Sequence, residues 1–206
     1  MVRSKKPKPL LIGPDLNGRS LVIAGDRVCW FGVGDPPRTP GALRLDACGT
    51  VINGAVLLRC DGERAFEAAL AAVATAVVLV GGPDAVEAWS RRMRARGVRV
   101  FAAIHVADAC DAERARALHA ANRDPLVRVG LAPSRWEGAA SLAADLGVPL
   151  DWDDQPSSGV LERHFGRRAD LSPGAMGDAV VSDGAAVRHV VVGGRLVMRD
   201  GEALSL

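Results

Sequence analysis

The segment Thr75 to Val80 reads Thr-Ala-Val-Val-Leu-Val, with no alternation of polar and apolar residues. A strand of this kind is buried on both faces, and the architecture that buries both faces is a parallel sheet layered with helices. Gly81-Gly82-Pro83 ends the segment, and Asp84 is placed to cap a helix running to about Arg96. The same rhythm continues on either side. Strands are predicted at Ala55 to Leu58, Val98 to Val106, Leu126 to Leu131 and Val148 to Trp152. Helices are predicted at Glu63 to Ala72, Asp111 to Asn122 and Glu137 to Leu146, the first with Phe66, Leu70 and Val73 on one face. Strand and helix in alternation imply right-handed crossovers between parallel strands.

Both ends of the chain follow a different pattern. Ser20 to Ala24 and Arg27 to Phe31 flank the turn signal Gly25-Asp26 and predict a hairpin. Short strands are predicted at Leu43 to Leu45 and Thr50 to Ile52. Near the other end they are predicted at Asp178 to Ser182, Ala186 to Val192 and Arg195 to Arg199, with Gly193-Gly194 as a tight turn between the last two. Residues 1–9 form a Lys/Pro tail expected to be mobile. The order is therefore β-rich, then β/α, then β-rich, and the two ends are expected to share one sheet layer.

Composition narrows the function classes. Hydrophobic residues make up 49% and charged residues 24%, an ordinary globular balance. Aromatics are only 4%, with no Tyr, so a base-stacking nucleic-acid surface is not expected. The net charge of +2 gives no pull toward nucleic acid or a membrane. The longest apolar run, Ala68 to Gly82, falls short of the roughly 18 residues of a membrane span. The basic start is followed only by Leu10-Leu11-Ile12, too short for a secretory core. Cys29, Cys48, Cys60 and Cys110 show no paired spacing and read as reduced thiols of a cytoplasmic protein.

Particular residues at both ends resemble the amidohydrolase superfamily. Leu21-Val22-Ile23-Ala24-Gly25-Asp26-Arg27-Val28-Cys29-Trp30-Phe31-Gly32 is similar to the family's opening hairpin. Leu45-Asp46-Ala47-Cys48-Gly49-Thr50-Val51-Ile52-Asn53-Gly54 is similar to its approach to the first barrel strand, with Asn53 in place of Pro. Leu171-Ser172-Pro173-Gly174-Ala175-Met176-Gly177-Asp178-Ala179-Val180-Val181 and Val187 to Val197 resemble its closing segments. Within the superfamily, the resemblance leans toward imidazolonepropionase and the cytosine or guanine deaminases. It implies an α/β protein with a small β-sandwich, the composite domain, formed by residues 1–54 and 165–206. Residues 55–164 would then be a truncated (β/α) barrel-like parallel sheet.

The middle departs from the family's pattern. The family's first barrel strand carries two histidines two residues apart, and alternate strand residues point to one face, so both reach one metal. The corresponding positions here are Arg59 and Asp61. A guanidinium has no lone pair to offer a cation. The carboxylated lysine that many members use as a bridging ligand has no counterpart either, because lysine occurs only at positions 5, 6 and 8. The middle segment of about 110 residues accommodates roughly three and a half to five units, against eight in a full barrel of about 250 residues. Leu131-Ala132-Pro133-Ser134 and Leu146-Gly147-Val148-Pro149-Leu150 resemble the family's seventh and eighth barrel strands, which implies that the fourth to sixth units are missing.

The candidate strand-end site comprises Arg59, Asp61, His105, Asp153 and Asp154. Arg59 and Asp61 face the same way, either as an ion pair or with Arg59 gripping an anionic group. His105 ends the third sheet strand, where ligands sit in α/β folds. Asp151, Asp153 and Asp154 follow the last strand, near the family's catalytic aspartate, and offer oxygen ligands for Mg²⁺ or Ca²⁺. His119, His164 and His189 read as surface or structural, and no two histidines have zinc-motif spacing. Val80-Gly81-Gly82-Pro83-Asp84 is a strand-to-helix turn of the kind that receives phosphates or simply starts a helix. Cys60 points away from Arg59 and Asp61, and no G-x-S-x-G elbow occurs.

The expected function is that of an amidohydrolase-like protein without the metal centre, non-catalytic, acting by binding or association and needing no cofactor. Two alternatives stand beside it. One is a metal-dependent hydrolase of non-peptide C–N bonds, with zinc or another divalent metal in a rebuilt site using His105, Asp153 and Asp154. The other is an anionic small-molecule binding module. A partial barrel leaves open sheet edges and apolar faces, so a homo-oligomer or a protein partner is expected.

Overall fold

The computed structural model describes residues 8–148, 150, 158–184 and 186–204. It divides into two compact units, Met1–Val56 with Leu161–Leu206, and Leu57–Val160.

The first unit pairs two sheets. One has the order β3(Arg27–Val33), β2(Arg19–Ala24), β1(Leu10–Ile12), β4(Leu43–Leu45), and the other has the order β13(Glu202–Ala203), β12(Arg195–Arg199), β11(Val187–Val192), β10(Ala179–Ser182), β5(Val51–Asn53). Inward-facing residues of both sheets make one core: Leu10, Ile12, Leu21, Ile23 and Leu45 from the first, Ile52, Ala179, Val181 and Val191 from the second. The chain ends are joined in the second sheet, where β5 runs antiparallel to β10 with Ile52 opposite Val181. Strand β1 has no sequence signal beyond three apolar residues. It is a strand because it is enclosed, antiparallel to β2 and parallel to β4.

The turns at the two ends also lock together. Gly193 and Gly194 close the β11–β12 hairpin with φ of 57° and 72°, both in the left-handed region that a two-residue turn of this hand requires. The Gly194 N–H donates to the Gly177 carbonyl at 2.8 Å, and the Gly177 N–H donates to the Asp26 carbonyl at 2.8 Å. Asp178, 1% exposed, does not continue β10 as expected. Its carboxylate accepts the Gly193 N–H at 2.7 Å and fixes the hairpin. Asp15 plays a similar part at the other end. It is buried and accepts the Asn17 and Arg19 N–H groups at 2.8 and 2.9 Å and the Arg19 guanidinium at 2.9 and 3.1 Å. Burial alone would raise its pKa, but these bonds outweigh that and hold the carboxyl below its usual 3.8.

The second unit is a four-stranded parallel sheet in sequence order: β6(Leu57–Cys60), β7(Ala76–Gly81), β8(Arg99–Ile104), β9(Val127–Leu131). The intervening helices are α1(Glu63–Ala71), α2(Pro83–Arg94) and α3(Ala109–Ala121), and α4(Ala139–Leu146) follows β9. Residues from all four helices pack in one cluster with Cys60, Val77, Leu79, Val100, Ala102, Ile104, Val127 and Leu131. Those strand residues share a single face. Sequential parallel strands with every helix on one side describe a piece of a (β/α) barrel rather than a doubly wound sheet. The other face carries Val78, Phe101, Ala103 and Ala132, all buried in the single chain. Leu57 and Val80 on the same face are only partly buried. At the edges, β6 and β9 each pair with one neighbour among the described strands.

Several element boundaries depart from the sequence expectations for local reasons. Helix α3 starts at Ala109 because Asp108 accepts the Asp111 N–H at 2.9 Å while Asp111 accepts the Ala107 N–H at 3.0 Å. Gly82, not Asp84, is the N-cap of α2, and the Asp84 carboxylate instead pairs with Arg114. The expected strand at Val148 to Trp152 is not found at its described positions. Gly147, at φ 63°, stops α4 in a Schellman motif, with the Val148 N–H returning to the Ala143 carbonyl at 3.0 Å. Val148 and Leu150 pack on the helix-side core, and Pro149 and residues 151–157 lie outside the described residues. Helix α5(Ser158–Phe165) was not expected, and His164 lies in its last turn.

Candidate functional site

Four strand ends define the C-terminal edge of the parallel sheet, where α/β folds place their ligands. At the first of them, Arg59 occupies the face opposite the helices, in register with Val78 and Phe101. Asp61 follows the strand. The Arg59 Nε–H points between the two Asp61 carboxylate oxygens, at 2.7 and 2.8 Å. Of the two readings open from the sequence, the ion pair is what forms. Cys60 between them turns into the helix-side core with no exposure. Burial pushes its thiol up to about 11, with the Asp61 charge adding to the effect. It is thereby a packing residue and a poor nucleophile.

His105 follows β8, two strands away from the Arg59–Asp61 pair, a lateral separation of about 10 Å. Its backbone N–H bonds the Gly81 carbonyl at 2.8 Å, and its side chain is exposed. It lines an open groove of about 470 Å³ together with Ala107, Pro133, Ser134, Arg135 and Trp136. Asp153 and Asp154, like Asp151, lie outside the described residues. The sequence-predicted constellation is thus resolved into one joined pair, Arg59 with Asp61, and one separate residue, His105.

Beside His105 the groove contains Arg135 and Trp136, which the sequence reading does not single out. The Ser134 hydroxyl donates to the Val106 carbonyl and accepts the Trp136 N–H at 3.0 Å, which fixes the short loop after β9. Trp136 packs against the helix-side core. Its ring lies where a Cβ on Gly138 would stand, 2.3 Å from that position at the nearest atom. Only glycine at 138 leaves room for it. The signal in the sequence is Ser-Arg-Trp-x-Gly in the loop between a buried strand and a helix, where a tryptophan two residues before a glycine marks a ring folded over the backbone.

His189 is structural, as its strand position suggested. It is 2% exposed in β11. Its Nδ1 accepts the Asp200 N–H at 3.3 Å, so Nε2 carries the proton and donates to the Asp46 carbonyl at 3.0 Å.

The fold family implies a divalent metal at these strand ends. The donors present do not fit one at β6, since a guanidinium held against a carboxylate offers no second lone pair beside Asp61. Among the described residues, no three of His, Cys, Asp and Glu converge as a ligand set.

Solved structures share the fold at low identity. Triazine hydrolase from Arthobacter aurescens superposes with a TM-score of 0.67 at 10% identity, over 97% of this chain and 96% of that one. An adenosine deaminase from Xanthomonas campestris with bound Zn gives 0.63 at 10% identity, over 98% and 96%. A β-aspartyl dipeptidase from Fervidobacterium islandicum AW-1 gives 0.56 at 10% identity, over 98% and 99%. No protein-family model matches the chain, and no curated protein does. The fold is amidohydrolase-like. The chain is a mixed α/β protein with several sheets, one of them parallel, consistent with a truncated amidohydrolase-like domain. Among the described residues, no helix is long and apolar enough to cross a membrane.

Proposed function

We propose that this amidohydrolase-like protein does not perform metal-assisted hydrolysis and acts by binding or association. The observation that carries the proposal is the Arg59–Asp61 pair, joined at 2.7 Å where the family resemblance puts two metal-binding imidazoles. A fixed cation there repels a divalent metal and occupies the carboxylate beside it. The absence of lysine beyond position 8 supports the same view, because the bridging carboxylated lysine has no candidate. Elemental mass spectrometry on protein purified without chelators, then incubated with zinc and dialysed, tests it. The expected content is well below one metal per chain. About one tightly held zinc, iron or manganese per chain would overturn the proposal and favour a hydrolase with a rebuilt site.

Association rests on a separate observation. The outer edges of β6 and β9 have no strand partner among the described residues. Parallel edges of this kind invite pairing with another chain. Light scattering behind size-exclusion chromatography is expected to give a mass above 21.5 kDa. A monodisperse monomer would remove the edge argument.

A further inference from the structure

We infer that the groove at the ends of β8 and β9 is a binding site for a small planar anion of the aromatic-carboxylate class. Arg135 and His105 would meet the charge and the Trp136 ring would meet the flat face. Its volume of about 470 Å³ suits a small metabolite. The wall is part apolar, from Ala107, Pro133 and Trp136, and its charged or polar side chains are His105, Ser134 and Arg135. Among the described residues, no carboxylate lines it. Of the acidic residues near it in sequence, Glu137 is exposed and is not part of the lining, and Asp108 and Asp111 are turned to the start of α3, where they accept backbone N–H groups. Ser134 is likewise committed to backbone partners on both sides. Among the described lining residues, a guanidinium, an imidazole and an indole remain to face a ligand. The Arg135 guanidinium has no acidic partner among the described residues, whereas Arg59 at the first strand end is held by Asp61.

The aromatic preference comes from how Trp136 is held. Its ring rests over Gly138 and against the core, so it needs little ordering when a flat ligand stacks on it. A guanidinium beside it gives the directional, paired hydrogen bonds that suit a carboxylate. The site is independent of any metal, so it stands or falls separately from the proposal on hydrolysis.

The test titrates benzoate into ¹⁵N-labelled protein in the presence of EDTA. It follows the indole N–H resonance that is lost in Trp136→Phe. The expected result is a saturable shift in the millimolar range, weaker for cyclohexanecarboxylate and absent for uncharged benzamide. Arg135→Ala should weaken benzoate about tenfold, and His105→Ala should weaken it by a smaller factor. Gly138→Ala provides a second variant. Its backbone, φ −75° and ψ −8°, accepts alanine freely, so the fold is retained while the new methyl displaces the ring. Benzoate should then bind severalfold more weakly with Arg135 intact. No saturable shift, or a shift unchanged in Arg135→Ala, would overturn the inference. Inorganic phosphate binding as tightly as benzoate with the indole unmoved would also overturn it, by reducing the groove to a site for bare anions.

Discussion

At Gly194 the turn near one end of the chain packs against the turn near the other, and replacing this glycine by alanine tests the idea that they fold as one sandwich. A Cβ at Gly194 would stand 1.5 Å from the Gly25 carbonyl oxygen. Ordinary contact needs about 3.3 Å, so one turn must retreat by nearly 2 Å. That retreat breaks the 2.8 Å bond from Gly194 to Gly177 and loosens the 2.7 Å bond from Gly193 to the Asp178 carboxylate. A neutral bond of this kind is worth about 1 kcal/mol and one to a charged acceptor about 1.5–3 kcal/mol, so the steric part comes to about 3 kcal/mol. The left-handed backbone adds about 1 kcal/mol for any non-glycine residue. Gly49 isolates that second contribution, because it has the same φ of 72° with nothing within 4 Å of the added methyl. Urea unfolding followed by circular dichroism should therefore show a loss of about 1 kcal/mol for Gly49→Ala and about 4 kcal/mol for Gly194→Ala. Losses within 1 kcal/mol of each other would refute the claim that the turns are locked together.

Other perturbations have definite expected outcomes. Asp15 is held ionised below its ordinary pKa in the folded state, so its contribution is present above about pH 4 and is lost as the pH falls through the lower folded value. Asp15→Asn should cost about 2 kcal/mol at neutral pH and flatten acid unfolding below pH 4, and an unchanged acid limb would contradict this. At pH 8, iodoacetamide should label Cys29, Cys48 and Cys110 in the native protein and leave Cys60 unlabelled until denaturation, read by mass spectrometry. Trp89 stacks on Phe66 at 5.4 Å and donates from its indole to Glu63 at 2.8 Å. Trp89→Ala should lose about 3–5 kcal/mol, and Trp89→Phe, which loses the indole hydrogen bond but keeps an aromatic ring, distinctly less in the same unfolding assay.

Most of the fold was legible because it rests on local patterns. The unbroken run at Thr75 to Val80 required a sheet buried on both faces, and β7 is that strand. The turn pairs at Gly25-Asp26 and Gly193-Gly194 marked hairpins that form as read. The spacing of Arg59 and Asp61 put both on one side, and they pair. The acidic residues Asp153 and Asp154 are outside the described chain, so that part of the expected site has no structural counterpart to set beside it.

What the sequence alone determined, then, was the order of layers, the shared character of the two ends and the chemistry available at the first strand end. These follow from periodicity, turn residues and side-chain type, all properties of near neighbours. Only the tertiary structure decided that Leu10–Ile12 is a strand, that Asp178 and Asp15 are buried brackets, and that His105 belongs with Arg135 and Trp136 rather than with Arg59. Each of these depends on residues far apart in sequence supplying a hydrogen-bond partner, a wall or an open space. The two-strand separation of His105 from Arg59 is set by the order of strands in the sheet, which no local pattern records.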